Sequence, residues 1–239
     1  MAGERRRFPI GLTIATAVSL AILVTLGTWQ LQRLAWKNDL VARIAALQSA
    51  PAQPIDTVLA RAAAGADVGF SRATALCPGL ASAPYLELYA IVDGQAGVRL
   101  ISACRVEAAP YRTVLVDRGF VADTISARPP VDPAAQAPLA VTGVLRLPDP
   151  ANSFSPPNTP ARWYVRDAAA MAAQLKAAAP APLFLMAETA TNPEWKALVP
   201  APVPASIPNR HLEYALTWYG LAAALLGVYA ALLLKRRKG

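Results

Sequence analysis

Two charge-free apolar stretches, residues 10–31 and 214–234, bracket the chain, and each carries a basic cluster on its outer side. Roughly 20 helical residues at about 1.5 Å rise span a hydrocarbon core of about 30 Å. Arg5, Arg6 and Arg7 precede the first stretch; Lys235, Arg236, Arg237 and Lys238 follow the second. Basic residues beside a span stay in the cytoplasm, so both tails are expected inside and everything between the spans outside. The expected organisation is a cytoplasmic tail over 1–9, a transmembrane helix over 10–31, an external domain over 32–210, a second transmembrane helix over 211–234 and a cytoplasmic tail over 235–239.

The formal charge of +8 invites a nucleic-acid reading, but its distribution argues against one. Seven of the 23 basic residues sit in the two tails, and residues 33–210 hold 16 basic and 13 acidic side chains. The excess orients helices in a membrane, and no basic stripe with interleaved aromatics appears, so lipid is an expected partner and nucleic acid is not. The first stretch is longer than a signal-peptide apolar region and runs into Gln30, Leu31, Gln32 and Arg33 without a small-residue cleavage site, as an uncleaved anchor would. Too few residues precede it for a mitochondrial leader, so a multi-pass protein of a bacterial inner membrane with a periplasmic domain is expected. Cys77 and Cys104 both fall in that external region. An oxidising compartment admits a disulfide between them. Two buried free thiols in neighbouring strands are the other reading, and the spacing leaves both open. Neither cysteine has CxxC spacing and the chain has one histidine, so no zinc site is expected.

Beyond the first span, Leu34, Leu40, Val41, Ile44 and Leu47 share a helical face while Arg33, Lys37 and Arg43 point elsewhere, so the membrane helix should continue outward until Pro51 and Pro54 stop it. Residues 55–64 suggest a short helix. Strand-like runs follow at 85–92 and 98–106, a candidate hairpin joined at Asp93-Gly94, then at 113–121, 139–147 and 184–188. Residues 128–138 and 148–160 are rich in proline and alanine and read as connectors, and 200–208 as a stiff link back to the membrane. Residues 168–179 favour a helix with Asp167 as N-cap. The fold class expected is α+β: N- and C-terminal transmembrane helices flanking one external domain with a mainly antiparallel β core and a few helices.

The topology brings both helix ends to one membrane face. Trp29 and Arg33 lie one turn apart on the first helix, and His211, Tyr214 and Trp218 follow one face of the second. Tryptophan and tyrosine gather at membrane interfaces in any case. His211 is different, being the one histidine of the chain. As a ligand, a lone imidazole suits a haem iron, with Arg33 or Arg210 available to the propionates. Hydrolytic chemistry finds no triad partners, and no GxSxG, HExxH or P-loop pattern occurs.

Three segments carry a family resemblance: residues 26–37 (LGTWQLQRLAWK) at the first membrane exit, 114–121 (VLVDRGFV) in the domain and 209–222 (NRHLEYALTWYGLA) at the second span. Together they resemble the surfeit locus protein 1 family, assembly factors for cytochrome c oxidase. The resemblance implies a non-enzymatic helper in the maturation of oxidase subunit I that supports insertion or stabilisation of haem a. It implies His211 as the iron ligand for transiently bound cargo; Trp29, Arg33, Arg210, Tyr214 and Trp218, read from the helix ends, complete the candidate site. Subunit I and haem a synthase become the expected partners. Gly119 matches a position the family treats as important, expected to hold a backbone conformation that side-chain-bearing residues adopt only with strain. Asp117 and Phe120 stand where the family usually has Asn and Trp. The segment 70–79 fits the family poorly, which makes Cys77 and Cys104 look like a subgroup feature. The rival reading is a membrane scaffold that stabilises an oxidase assembly intermediate through protein contacts and binds no haem.

Overall fold

Helix α1 (Ile10–Ser49) runs 40 residues without a break, so the first apolar stretch and the amphipathic segment beyond it are one rod. The computed structural model describes residues 9–148, 155–201 and 209–238. Pro51 and Pro54 stop α1, because a proline supplies no backbone donor for another turn. Along α1, Leu34, Leu40 and Val41 are half-buried and Ile44 is buried, while Leu47 of the expected face stays exposed. Near the other terminus, α4 (His211–Lys238) is a single helix of 28 residues. Both helices are long and apolar enough to cross a membrane. Their outward side chains include Ile14, Val18, Ile22, Leu216 and Val228, a surface that calls for lipid rather than water. The basic tail at 5–7 and the link at 202–208 lie outside the described residues.

The chain divides into two compact units. One contains α1 as far as Arg43 together with α4, and the other is Ile44–Ala205. The second unit is built on a seven-stranded sheet with α2 (Ile55–Ala63) and α3 (Ala168–Gln174). In chain order the strands are β1 (Gln53–Pro54), β2 (Arg72–Pro78), β3 (Leu86–Val92), β4 (Gln95–Ala108), β5 (Tyr111–Ala122), β6 (Pro138–Arg146) and β7 (Pro180–Ala187). In space their order is β1-β2-β6-β7-β5-β4-β3. Only β1 with β2 and β5 with β7 run parallel; the other four pairings are antiparallel. This is the expected α+β class with a mainly antiparallel core.

Local chemistry accounts for the main joints. Asp93 and Gly94 both have positive φ, 50° and 80°, and Val92 pairs with Gln95 across them. Two consecutive left-handed residues make the tight turn whose twist matches that of the flanking strands. β5 lies between β4 and β7 and is buried on both faces from Thr113 to Val121, which explains the run Val114-Leu115-Val116 ahead of Asp117. On one side Val114 and Val116 join Val58, Leu59, Ala73, Ala75, Leu183 and Leu185. On the other Leu115 joins Leu88, Ile101, Trp163, Met171 and Phe184 beneath α3. Each fully buried Leu or Phe contributes about 1.5–3 kcal/mol to the folded state.

Cys77 and Cys104 are joined in a disulfide with Cα atoms 5.2 Å apart. They are not in neighbouring strands, as the free-thiol reading assumed. β2 and β4 stand second and sixth in the sheet, so the sheet curls until strands near its two edges meet across the core.

Two expectations need correction, and one strand was not foreseen: the segment 70–79 contains β2, in which Ala73, Ala75 and Cys77 alternate inward. Alanine is a weak strand former, so its role here comes from burial against neighbours rather than propensity. The helix expected over 168–179 ends at Gln174. Beyond it Lys176 and Ala179 have positive φ, and the carbonyls of Ala178 and Ala179 accept bonds from the Thr113 hydroxyl and the Arg112 N–H. Tertiary pairing thus overrides the alanine run, and β7 begins at Pro180, four residues before the expected strand. Asp167 does cap α3, accepting from the Ala170 N–H at 3.0 Å.

Candidate functional site

Polar side chains link α1 to α4, or to Asn209 just ahead of it, at four levels. The Thr13 hydroxyl meets the Tyr229 hydroxyl at 2.6 Å, Thr28 meets Tyr219 at 3.0 Å, Gln30 meets His211 at 2.6 Å, and the Asn209 amide donates to Asn38 Oδ1 at 2.8 Å. Ascending positions on α1 match descending positions on α4, so the helices are antiparallel. Lipid offers no hydrophobic drive for helices to associate, so close packing and hydrogen bonds must do it. Gly27 supplies the close approach: a Cβ there would lie 2.9 Å from the Tyr219 ring.

His211 opens α4, with Glu213 in the same first turn, where a carboxylate complements the helix dipole. The imidazole is half-buried. Its Nδ1 faces Gln30 Oε1, and the Trp29 ring stands edge-on to it at 6.5 Å between centroids and 84° between planes. Among the described residues no other hydrogen-bond partner engages the ring, so Nε2 is its open nitrogen. Trp29 is therefore brought to His211. Arg33 instead stacks on Trp36, its guanidinium carbon 3.9 Å from the ring centroid. Arg210 is exposed beside His211 in sequence. Tyr214 is 56% exposed and Trp218 half-buried, and among the described residues neither makes a ring contact with His211. Gln30 was not expected at the site, nor Tyr219 and Tyr229 in the helix contact; their signal is being polar within otherwise apolar helices. No three His, Cys, Asp or Glu side chains converge among the described residues, so His211 is a single donor.

The sheet unit has its own polar centre on β5. Asp117 is fully buried and accepts from Arg99 Nε at 2.6 Å and Arg166 Nη2 at 2.7 Å. Its other oxygen takes the Gly119 N–H at 3.3 Å. Arg118 is also fully buried, and its guanidinium donates to the carbonyls of Ala81 and Ala83 and the Ser102 hydroxyl. Burial without a carboxylate pushes Arg118 down to about 10, against a smaller opposing influence of Tyr85. β5 bulges here: Phe120 pairs with Arg99 and Asp117 with Ile101, so one extra residue is absorbed between them. Gly119 lies in that bulge at φ +128°.

The sequence profile of the SURF1 family matches residues 17–223. Surfeit locus protein 1 of Gallus gallus is 30% identical over 227 residues, covering 83% of this chain and 68% of the relative. Surfeit locus protein 1 of Homo sapiens is 30% identical over 242 residues, covering 87% and 73%, and a SURF1-like protein of Monosiga brevicollis is 28% identical, covering 90% and 83%. The match takes in the sheet, most of α1 and the first half of α4, and the chain belongs to the SURF1 family.

Proposed function

We propose that this chain is a non-catalytic assembly factor for haem–copper cytochrome c oxidase, which holds haem a transiently through His211 and passes it to subunit I. The observation that carries the reading is the state of the His211 ring. Nδ1 is committed to Gln30, Nε2 is open, and Trp29 flanks the imidazole. One nitrogen donor on a half-buried ring fits a prosthetic group that brings its own equatorial donors. Arg210, exposed at the head of α4, is available to a propionate. Arg33 supports this less directly, since its face is already used by Trp36. A single protein ligand suits cargo that must leave again.

The same reading puts the protein in a bacterial inner membrane, with both tails cytoplasmic and the sheet domain periplasmic. The basic residues outside each span and the Cys77–Cys104 disulfide, which an oxidising compartment sustains, support that orientation. Its partners are subunit I, haem a synthase and membrane lipid.

The test is the absorption spectrum of detergent-purified protein produced alongside a haem a synthesis pathway, wild type against His211→Ala. A haem a band in wild type that the variant loses at equal yield and fold is expected. A colourless wild type, under conditions that preserve a control haem protein, would turn the reading to a scaffold acting by protein contacts alone.

A further inference from the structure

The approach of Gln30 to His211 decides which imidazole nitrogen is open. A carboxamide oxygen accepts and cannot donate. A hydrogen bond from the nitrogen facing it at 2.6 Å needs the ring proton on Nδ1, the tautomer that leaves the neutral ring's lone pair on Nε2. We propose that Gln30 is a positioning residue: it fixes the Nδ1–H tautomer of His211 and so presents Nε2 as the metal-binding atom. The assignment rests on the ligand role of His211 proposed above.

Three features of the pair fit that task. Gln30 and His211 lie on different helices, so the bond sets the ring plane relative to both. Trp29, the neighbour of Gln30 on α1, closes on the ring edge-on and limits its rotation. Thr28 and Tyr219 bond across the same helix pair, which holds the two backbones in register at this level. A histidine that ligates a metal usually donates its second N–H to a carboxylate, a carbonyl or water; here an amide oxygen takes that part.

The chain has one histidine, so 15N-histidine labelling gives a single imidazole whose two nitrogen shifts report the tautomer without any haem. Wild-type apoprotein in detergent, with the ring neutral, is expected to show a protonated Nδ1 and an unprotonated Nε2. Gln30→Leu, which cannot accept, should release the ring to a mixture of tautomers; Gln30→Glu, which still accepts, should keep the wild-type pattern. A protonated Nε2 in wild type, or a pattern unmoved by Gln30→Leu, overturns the assignment. In haem a titrations Gln30→Leu should weaken uptake about 10–100-fold, and Gln30→Glu should restore it and lower the iron midpoint potential. Equal uptake by wild type and Gln30→Leu overturns the Gln30 assignment alone. A wild type that takes up no haem a overturns the ligand role of His211 instead, and the tautomer spectra tell the two failures apart.

Discussion

Gly119 and Val199 approach so closely that a Cβ on residue 119 would sit 2.4 Å from the Val199 carbonyl oxygen and 2.9 Å from its carbonyl carbon. The approach is a pairing: the Phe120 N–H donates to Val199 O at 2.8 Å, and the Val199 N–H donates back at 3.0 Å. It seats Leu198 in a small cluster with Val98, Leu100 and Val121. Gly119 is needed twice over, since its φ of +128° is itself strained for any other residue. Gly119→Ala is expected to destabilise the domain by about 3 kcal/mol or more, combining backbone strain with loss of the Val199 pairing. Denaturant unfolding of the purified protein measures it; a change below about 1 kcal/mol would mean that the 198–200 segment moves aside without cost.

Asp117 offers a second handle on the same bulge. Replacing it by alanine leaves the guanidiniums of Arg99 and Arg166 buried without their carboxylate, a loss of about 3–5 kcal/mol. Asp117→Asn keeps one acceptor oxygen in place and should cost less, about 1–3 kcal/mol. The two midpoints in one denaturant series check the order; an alanine variant as stable as the asparagine variant would show that the network adds nothing beyond volume.

How far the chain announces this fold depends on which force sets each element. Val114, Leu115 and Val116 reveal β5 because a strand buried on both faces shows consecutive apolar residues rather than alternation. Asp93-Gly94 reveals its hairpin because few residues tolerate two consecutive positive φ angles. β2 stays hidden: Ala73 and Ala75 carry no strand signal, and only contact with the far side of a curled sheet explains them. Ala177, Ala178 and Ala179 mislead in the other direction, because helix propensity is weaker than the hydrogen bonds that Arg112 and Thr113 make to that segment. At the helix pair, a shared depth brings Trp29 and His211 together on paper. Gln30 is invisible to that argument, since its role depends on how α1 is rotated about its axis toward α4.

The disulfide closes a segment of sequence separation 27. Chain-entropy arithmetic for a loop of that size gives about 3.5 kcal/mol. Cys77→Ser with Cys104→Ser should lower domain stability by that order, and the loss should appear in the unfolding midpoint. Both sulfurs are buried among core residues, so a reductant should reach them only through unfolding. Alkylation after mild reduction is therefore expected to need denaturant, and rapid modification of the native protein would mean that the curled sheet opens locally.

Packing of the two long helices should be sensitive at Gly27. A leucine there has to displace the Tyr219 ring and with it the bond to Thr28, whereas Tyr219→Phe removes the bond and leaves the ring in place. Interhelical hydrogen bonds in membranes average about 0.6 kcal/mol, so Tyr219→Phe should be nearly silent and Gly27→Leu severe. Unfolding in mixed detergent micelles measures both, and equal effects would assign the contact to the hydroxyl rather than to shape.

Orientation in the membrane is testable with one exposed position in the sheet domain and one in the tail. Ile91 near the end of β3 is 64% exposed, and the native cysteines are already bonded to each other, so a cysteine introduced there is the only free thiol. With basic residues retained in the cytoplasm, Ile91→Cys should react with a membrane-impermeant maleimide in spheroplasts, and Gly239→Cys only after lysis. The reverse pattern would set seven flanking cations on the wrong side of the bilayer. It would also place a stable disulfide in a reducing compartment.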